Sequence, residues 1–335
     1  MEFIQVGVGG HGRRWLGVAL ADHTASLAAV VDTDEEALNA ARVRTNLPPD
    51  RCFDDYGAAF EQVEADAVLC AGPPSIHADV ALAAFENGLH VLTEKPLADT
   101  MERAQEMVEA ADAAGRTLMV SQNYRFYSWV RTLRHLVDSR EFGDPDNLMV
   151  RFAKAPQFEG SFRLKMEHPL VRDMSIHHFD LMRAVTGREP VSVYAETWRP
   201  EWSWFNSDPC AVAIFQFTGG MKAIYHGSWV ARGRETTWNG RWTVECAEAV
   251  LHLTDDQVHI RAPELPEHDT TVALHRMPCE SLEFSLLEFQ SAVEEGREPE
   301  CSGRDNLNSL AMVFAVTESA ARGEPVRIDE IRGTA

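Results

Sequence analysis

Lysine is scarce in this chain. Only four lysines (Lys95, Lys154, Lys165 and Lys222) stand beside 27 arginines, so arginine serves wherever a general surface cation is wanted and each lysine needs a local reason. Positive charge is short overall: 31 Lys+Arg against 52 Asp+Glu leave −21, a surface that repels phosphate backbones and anionic lipid heads. Neither nucleic acid nor a membrane is expected as a partner. The six cysteines (Cys52, Cys70, Cys210, Cys246, Cys279, Cys301) include no Cys-x-x-Cys pair and no neighbouring His at zinc spacing, which points to reduced thiols and no metal site. No apolar run approaches the roughly 18 residues of a spanning helix. The opening MEFIQVGVGG has no cationic start or small-residue cleavage site, so the expected location is the cytoplasm.

What is present is ample for packed cores. At 335 residues and 45% hydrophobic content, about two domains are expected. Residues 1 to 123 alternate apolar runs (Phe3 to Val8, Ser26 to Val31, Ala67 to Cys70, His90 to Thr93, Thr117 to Val120) with helical stretches at about 11–22, 34–45, 75–87 and 99–114. Short strands apolar on both faces and separated by helices indicate a parallel sheet covered on both sides. For the helix at 99–114, Asp99 and Glu102 have capping-box spacing and Gly115 marks the stop.

After Asn123 the rhythm changes. Helices at about 129–140 and 175–186 are followed by strand-like segments at about 191–198, 210–217, 221–229, 241–246, 249–254, 256–261 and 270–276, then helices at about 281–295 and 304–321 and a tail strand from Val326 to Ile328. This reads as an α+β domain with a mostly antiparallel sheet over 124–335, joined to an α/β Rossmann domain over 1–123. Six of the eight tryptophans (Trp198, Trp202, Trp204, Trp229, Trp238, Trp242) crowd this sheet region, where core or a subunit interface is a more common use than sugar stacking.

Gly7-Val8-Gly9-Gly10-His11-Gly12 follows the first strand and opens the first helix. Its glycines allow a tight turn and close approach of backbone N–H groups to a pyrophosphate at a helix N-terminus. Twenty residues on, Asp32 ends the second strand, where a carboxylate can accept from a ribose diol. It also repels a 2′-phosphate, and Thr33-Asp34 brings no cation to hold one, so NAD is favoured over NADP. Gly72-Pro73-Pro74, Glu94-Lys95-Pro96 and Gln122-Asn123 follow later strands at the same end of the sheet, where ligands of open parallel sheets bind. Glu94, Pro73, His77 and Asn123 join the cofactor-binding candidates, His77 being equally readable as packing.

Lys95 is the lysine with a reason. At a strand end beside the expected nicotinamide, its ammonium can donate to a substrate oxygen and stabilise a forming alkoxide, and Pro96 restricts its backbone and allows a cis bond. Asp173, His177 and Asp180 stand at i, i+4 and i+7 of an expected helix, one stripe in which each carboxylate can reach the imidazole. Histidine titrates near neutrality and suits the removal of a hydroxyl proton; a helix cap and a satisfied core histidine explain the pattern equally well. His178 points away and reads as structural. Arg125, at the domain junction, is either a substrate contact or an interdomain ion pair.

Taken in order, Gly7-x-Gly9-x-x-Gly12, Pro73-x-x-x-His77, Glu94-Lys95-Pro96, Tyr124-Arg125-Phe126 and Asp173-x-x-x-His177-x-x-Asp180 resemble the Gfo/Idh/MocA family, the glucose-fructose oxidoreductase and inositol dehydrogenase group, over nearly the whole chain. The resemblance implies a large sheet that forms the interface of a homodimer or homotetramer. It implies a catalytic set of His177 as base, Lys95 as hydroxyl-polarising donor and Asp173 as orienting partner; Arg125 and Asp180 are added as candidates for binding the substrate. The sequence departs from the family on that substrate side, with His168-Pro169-Leu170-Val171-Arg172 in place of a glycine-rich stretch and Ser175 in place of a glycine. Three functions stay open: hydride transfer from a sugar or cyclitol alcohol to NAD, transient use of a tightly held NAD during elimination or hydrolysis through a keto intermediate, and NAD sensing by a regulator.

Overall fold

The computed structural model describes residues 1–262 and 269–333, and the chain divides into two compact units. The first comprises Met1–Asn123 and Pro278–Leu307, the second Tyr124–Met277 and Asn308–Ala335. The return of Pro278–Leu307 to the first unit corrects the expectation that all of 124–335 forms one domain.

In the first unit, β1 (Glu2–Val6), β2 (Ser26–Val31), β3 (Cys52–Phe53), β4 (Ala67–Cys70), β5 (His90–Glu94) and β6 (Leu118–Ser121) form one parallel sheet in the order β3-β2-β1-β4-β5-β6. Helices α1 (Gly12–Ala21), α2 (Glu35–Thr45), α3 (Tyr56–Gln62), α4 (Pro74–Glu86) and α5 (Met101–Ala114) connect them. β4 and β6 are buried at every position, which is why the strands read as unbroken apolar runs. This is the doubly wound Rossmann order, in which β1 and β4 are neighbours whose following helices leave in opposite directions, opening a ligand crevice at their carboxyl ends. Thr100, not Asp99, caps α5, its hydroxyl accepting from the Arg103 amide; Gly115 ends the helix in the left-handed region as expected.

The second unit begins with α6 (Ser128–Asp138). A nine-stranded sheet follows, built from β7 (Pro145–Ala153), β8 (Pro190–Trp198), β9 (Cys210–Phe217), β10 (Lys222–Ser228), β11 (Arg241–Cys246), β12 (Val250–Thr254), β13 (Gln257–Arg261), β14 (Thr270–Thr271) and β15 (Val326–Arg327), with α7 (Ile176–Thr186) between β7 and β8. β7 is absent from the expected strands because the turn-rich Gly143-Asp144-Pro145-Asp146-Asn147 obscures its start, although a proline is tolerated as a first strand residue. It makes the one parallel pairing among the described strands of this sheet, with β10. One face packs on helices: Phe179 of α7 sits 5.0 Å from Phe215 and 5.1 Å from Tyr225, and Trp129 of α6 5.8 Å from Trp242, centroid to centroid.

After β14 the chain re-enters the first unit as α8 (Ser281–Glu295), and α9 (Gly303–Arg322) then runs across the division before β15 and α10 (Ile328–Arg332). The return has an apolar cause: Phe289 is fully buried with its ring 6.0 Å from Phe3, a burial contributing about 1.5–3 kcal/mol. The tryptophans split, with Trp229 and Trp242 in the core and Trp198, Trp202 and Trp238 exposed.

Under α7 lies a closed polar chain. His178 is fully buried, with Nε2 3.3 Å from the Trp238 carbonyl and Nδ1 3.2 Å from the Tyr225 hydroxyl. A carbonyl only accepts, so Nε2 carries the proton and Nδ1 accepts from Tyr225, whose oxygen in turn accepts from Ser175 at 2.9 Å. Burial pushes the imidazole down from 6.5 to about 4. Through that window the unfolded chain binds a proton that the folded chain refuses, so His178 contributes stability that is present above pH 6.5 and lost as pH falls to about 4. The Tm of the wild type is therefore expected to fall more steeply over this range than that of His178→Phe, and parallel curves would remove the assignment.

Candidate active site

At the carboxyl ends of the first unit's strands, the glycine-rich turn is shaped by two kinds of constraint. Gly7 has φ +88° and Gly12 abuts the Gly7 carbonyl so closely that a Cβ would lie 2.2 Å from that oxygen; both are required by the turn itself. Gly9 is different. Its φ is not in the left-handed region and a Cβ there would meet only ordinary contacts, the nearest at 3.7 Å, so packing does not explain its bareness. A backbone kept uncovered at a turn, leading into a helix with no side-chain cap and no acid in its first turn, fits the approach of a pyrophosphate. Asp32 lies against this turn, Oδ2 accepting from the Val8 and Gly9 amides at 2.8 and 3.1 Å.

Sequence reasoning missed two ties that hold the turn. Gln5, buried in the middle of the parallel sheet, donates its amide to the Gly7 and Gly12 carbonyls, both at 2.9 Å. A glutamine in an otherwise apolar central strand is the signal that was available. The second is Trp15 of α1, whose Nε1 donates to Glu94 Oε1 at 2.8 Å.

Glu94 is not an open cofactor contact. Its Oε1 accepts from Trp15 and from His11 at 3.1 Å, and its Oε2 from the Lys95 amide at 3.1 Å. Burial raises a carboxyl, but the hydrogen bond and charge of His11, the charge of Lys95 and the Trp15 hydrogen bond outweigh it and hold Glu94 below its ordinary value. His77 makes a parallel tie. Fully buried, its ring lies 2.8 Å from the Pro96 carbonyl and 3.1 Å from the Gly72 carbonyl; burial lowers its affinity for a proton, so its single N–H serves the nearer Pro96 carbonyl and ties the start of α4, just after the β4 turn, to the turn after β5. Pro73 starts this turn as the cap of α4, and the Lys95-Pro96 peptide is cis. Asn123 donates to the Ser281 hydroxyl at 2.7 Å.

In the second unit, the stretch expected to begin α7 is preceded by a π-helical turn over Leu170–Ser175, and α7 proper starts at Ile176. A π turn holds more residues than an α turn, so the α-helical stripe drawn through Asp173, His177 and Asp180 is broken at its first member. The Ser175 hydroxyl also lies 3.1 Å from the Leu170 carbonyl, five residues back, so its one proton is shared between that carbonyl and the Tyr225 oxygen. Asp173 meets Arg163, which sequence reasoning did not single out: Nε donates to Oδ2 at 2.5 Å and Nη2 to Oδ1 at 3.3 Å. Phe158 and Phe162 flank that guanidinium at 5.3 and 4.9 Å.

The expectation that Arg125 and Asp180 face the substrate is corrected. They pair with each other, Nε to Oδ2 at 2.7 Å and Nη2 to Oδ1 at 2.6 Å, and are 5% and 1% exposed. Ser309 also donates to Asp180 Oδ1 at 2.6 Å, and Arg183 links Ser309 to Glu189. With both oxygens of Asp180 committed, it holds α7 in place rather than the imidazole. Removing one partner would strand a buried charge at a cost of about 3–5 kcal/mol. His177 itself is buried, and the ring of Tyr124 lies parallel to it, centroids 4.1 Å apart and planes 16° apart. Among the described residues, no group of three or more His, Cys, Asp or Glu could hold a metal ion, and no helix is long and apolar enough to cross a membrane.

Residues 1–122 match the oxidoreductase family with an NAD-binding Rossmann fold, and residues 130–252 match the GFO/IDH/MocA C-terminal domain. The chain belongs to the Gfo/Idh/MocA family. It is 30% identical to an uncharacterized protein of Sinorhizobium fredii, covering 98% of this chain and 96% of that one, and 28% identical to a D-apiose dehydrogenase of Paraburkholderia graminis, covering 93% and 85%. Its fold matches that of an oxidoreductase from Agrobacterium radiobacter, solved in complex with NAD+, L-tartaric acid and magnesium, at a TM-score of 0.89 and 21% identity over 99% of both chains. This Gfo/Idh/MocA member is thus an oxidoreductase whose first unit is an NAD-binding Rossmann fold.

Proposed function

We propose that this enzyme oxidises a secondary alcohol carbon of a sugar, cyclitol or derivative, with Lys95, Asp173 and His177 as its reacting set. The observation that carries the reading is the bracing of Lys95. The β5 end on which it stands is tied to the glycine-rich turn through Glu94 and to the β4 turn through Pro96 and His77, so the lysine is carried on the same rigid platform as the cofactor turn. Turns fixed to one another in this way supply the pre-organisation that donor catalysis needs. NAD, when bound, takes up the hydride that the alcohol carbon loses.

Each residue then has a separate task. The Lys95 ammonium donates to the substrate hydroxyl oxygen and stabilises negative charge as it develops. The His177 imidazole takes the hydroxyl proton. Asp173, its charge shared with Arg163, orients the pair. The sugar class is supported by the likeness to the D-apiose dehydrogenase. With NAD and a panel of sugars and cyclitols, we expect NADH to accumulate in step with ketone product. Lys95→Ala should lower kcat by about two orders of magnitude or more, the scale of losing one oxyanion donor, with NAD affinity near wild type. Wild-type turnover in that variant would remove the role given to the lysine.

We also propose that copies of the chain pair through the open face of the nine-stranded sheet. Ile224 lies in register with Ile214 on one side and Met149 on the other, and Ile214 with Tyr194. The three aliphatic side chains are 37–48% exposed. Single exposed apolar residues are ordinary, but three in one cross-strand row are what an interface covers. Sedimentation should show an oligomer that Ile224→Glu weakens at least about tenfold while the circular dichroism stays native; a wild-type monomer would contradict the proposal.

A further inference from the structure

We infer that Tyr124 is a positioning residue of His177, an inference that rests on reading His177 as the base. A general base must present its nitrogen along one direction, so its ring has to be held against rotation about χ2. Asp180, one of the two carboxylates that spacing suggested for this task, is committed to Arg125 and Ser309.

The stacked phenol ring supplies the restraint by a different route. With planes 16° apart and centroids 4.1 Å apart, the imidazole cannot turn about χ2 without driving its edge into the tyrosine. An imidazole hydrogen-bonds in its own plane, whereas the stack occupies its face, so the contact does not compete with proton transfer.

Tyr124 is itself fixed from two sides. Tyr127 meets its ring edge-on at 5.2 Å and 71°. The next residue, Arg125, is locked to Asp180, three positions beyond His177 on α7 and therefore on the same side of that helix. Two consecutive residues of the segment leaving the Rossmann unit thus grip one turn of α7, one by a ring face and one by a buried ion pair. A slide of this segment along the helix would break the Arg125–Asp180 pair, so the position of the phenol over the imidazole is set by a contact that is hard to disturb. Tyr124-Arg125 acts as one device.

The test is nuclear magnetic resonance of the full chain with labelled histidine, His177 being assigned among the thirteen histidines by the signal lost in His177→Asn. In the wild type, the His177 ring protons should lie upfield, under the ring current of Tyr124; ordinary shifts there would overturn the stack without any variant of Tyr124 having to fold. Tyr124→Phe should keep both the upfield shift and kcat within about twofold. Tyr124→Leu should lose the shift and lower kcat about tenfold with KM for NAD unchanged, the kinetic equivalent of one aromatic pair. If Tyr124→Phe falls as far as Tyr124→Leu, or if kcat survives loss of the shift, the positioning role is wrong. Full turnover by His177→Asn would instead defeat the base assignment, while the ring-current measurement would still report on the stack.

Discussion

The buried carboxylate of Glu94 is the contact on which the cofactor end of the Rossmann unit depends. An ionised carboxyl taken out of water costs several kcal/mol unless donors meet it. Here three do, from His11, Trp15 and the Lys95 amide. The requirement works in both directions: the charge is tolerated only while the glycine-rich turn, the first helix and the end of β5 keep their places, and those elements are held by the charge. His77 repeats the arrangement between the β4 and β5 turns. Three strand ends that share no sequence neighbourhood are thereby joined into one surface.

The second unit follows the same logic with different groups. Asp180 has no room for a ligand, yet its two oxygens gather Arg125 from the crossing segment and Ser309 from α9 onto the helix that carries His177. Below that helix, Ser175, Tyr225 and His178 close a neutral polar chain, and Ser175 also ties down the π turn. The serine at a position where the family often has glycine thus fills a packing and hydrogen-bonding role. The paired histidines divide their tasks by orientation: His178 is satisfied internally, while His177 is held on its ring face by Tyr124.

The features legible in the sequence are those whose chemistry is local. Gly7, Gly9 and Asp32 could be read because a turn, a bare backbone and a strand-end acid each announce themselves within a few residues. The ties between distant segments could not. Trp15 meets Glu94 across 79 positions, and nothing near either residue specifies the other. Arg163 lies in a single 3-10 turn, Phe162–Leu164, too short for a periodicity to mark it. The π turn escaped notice because an apolar pattern barely distinguishes an α turn from one residue more, and that one residue moves Asp173 off the expected stripe. Helix α8 was recognisable as a helix, but its pattern is the same whichever core receives it; contacts distant in sequence, such as the docking of Phe289 on Phe3, assign it to the first unit.

Calorimetric titration of NAD into Glu94→Gln tests the account most directly. Glutamine keeps the size and can still accept from Trp15 at one end, but turns an N–H group toward the Lys95 amide, where two donors face each other. Losing a charged acceptor is worth about 1.5–3 kcal/mol, so the account predicts an NAD Kd at least about tenfold weaker in a variant that remains folded. An unchanged Kd would show that the glycine-rich turn keeps its shape without this carboxylate and would contradict the account.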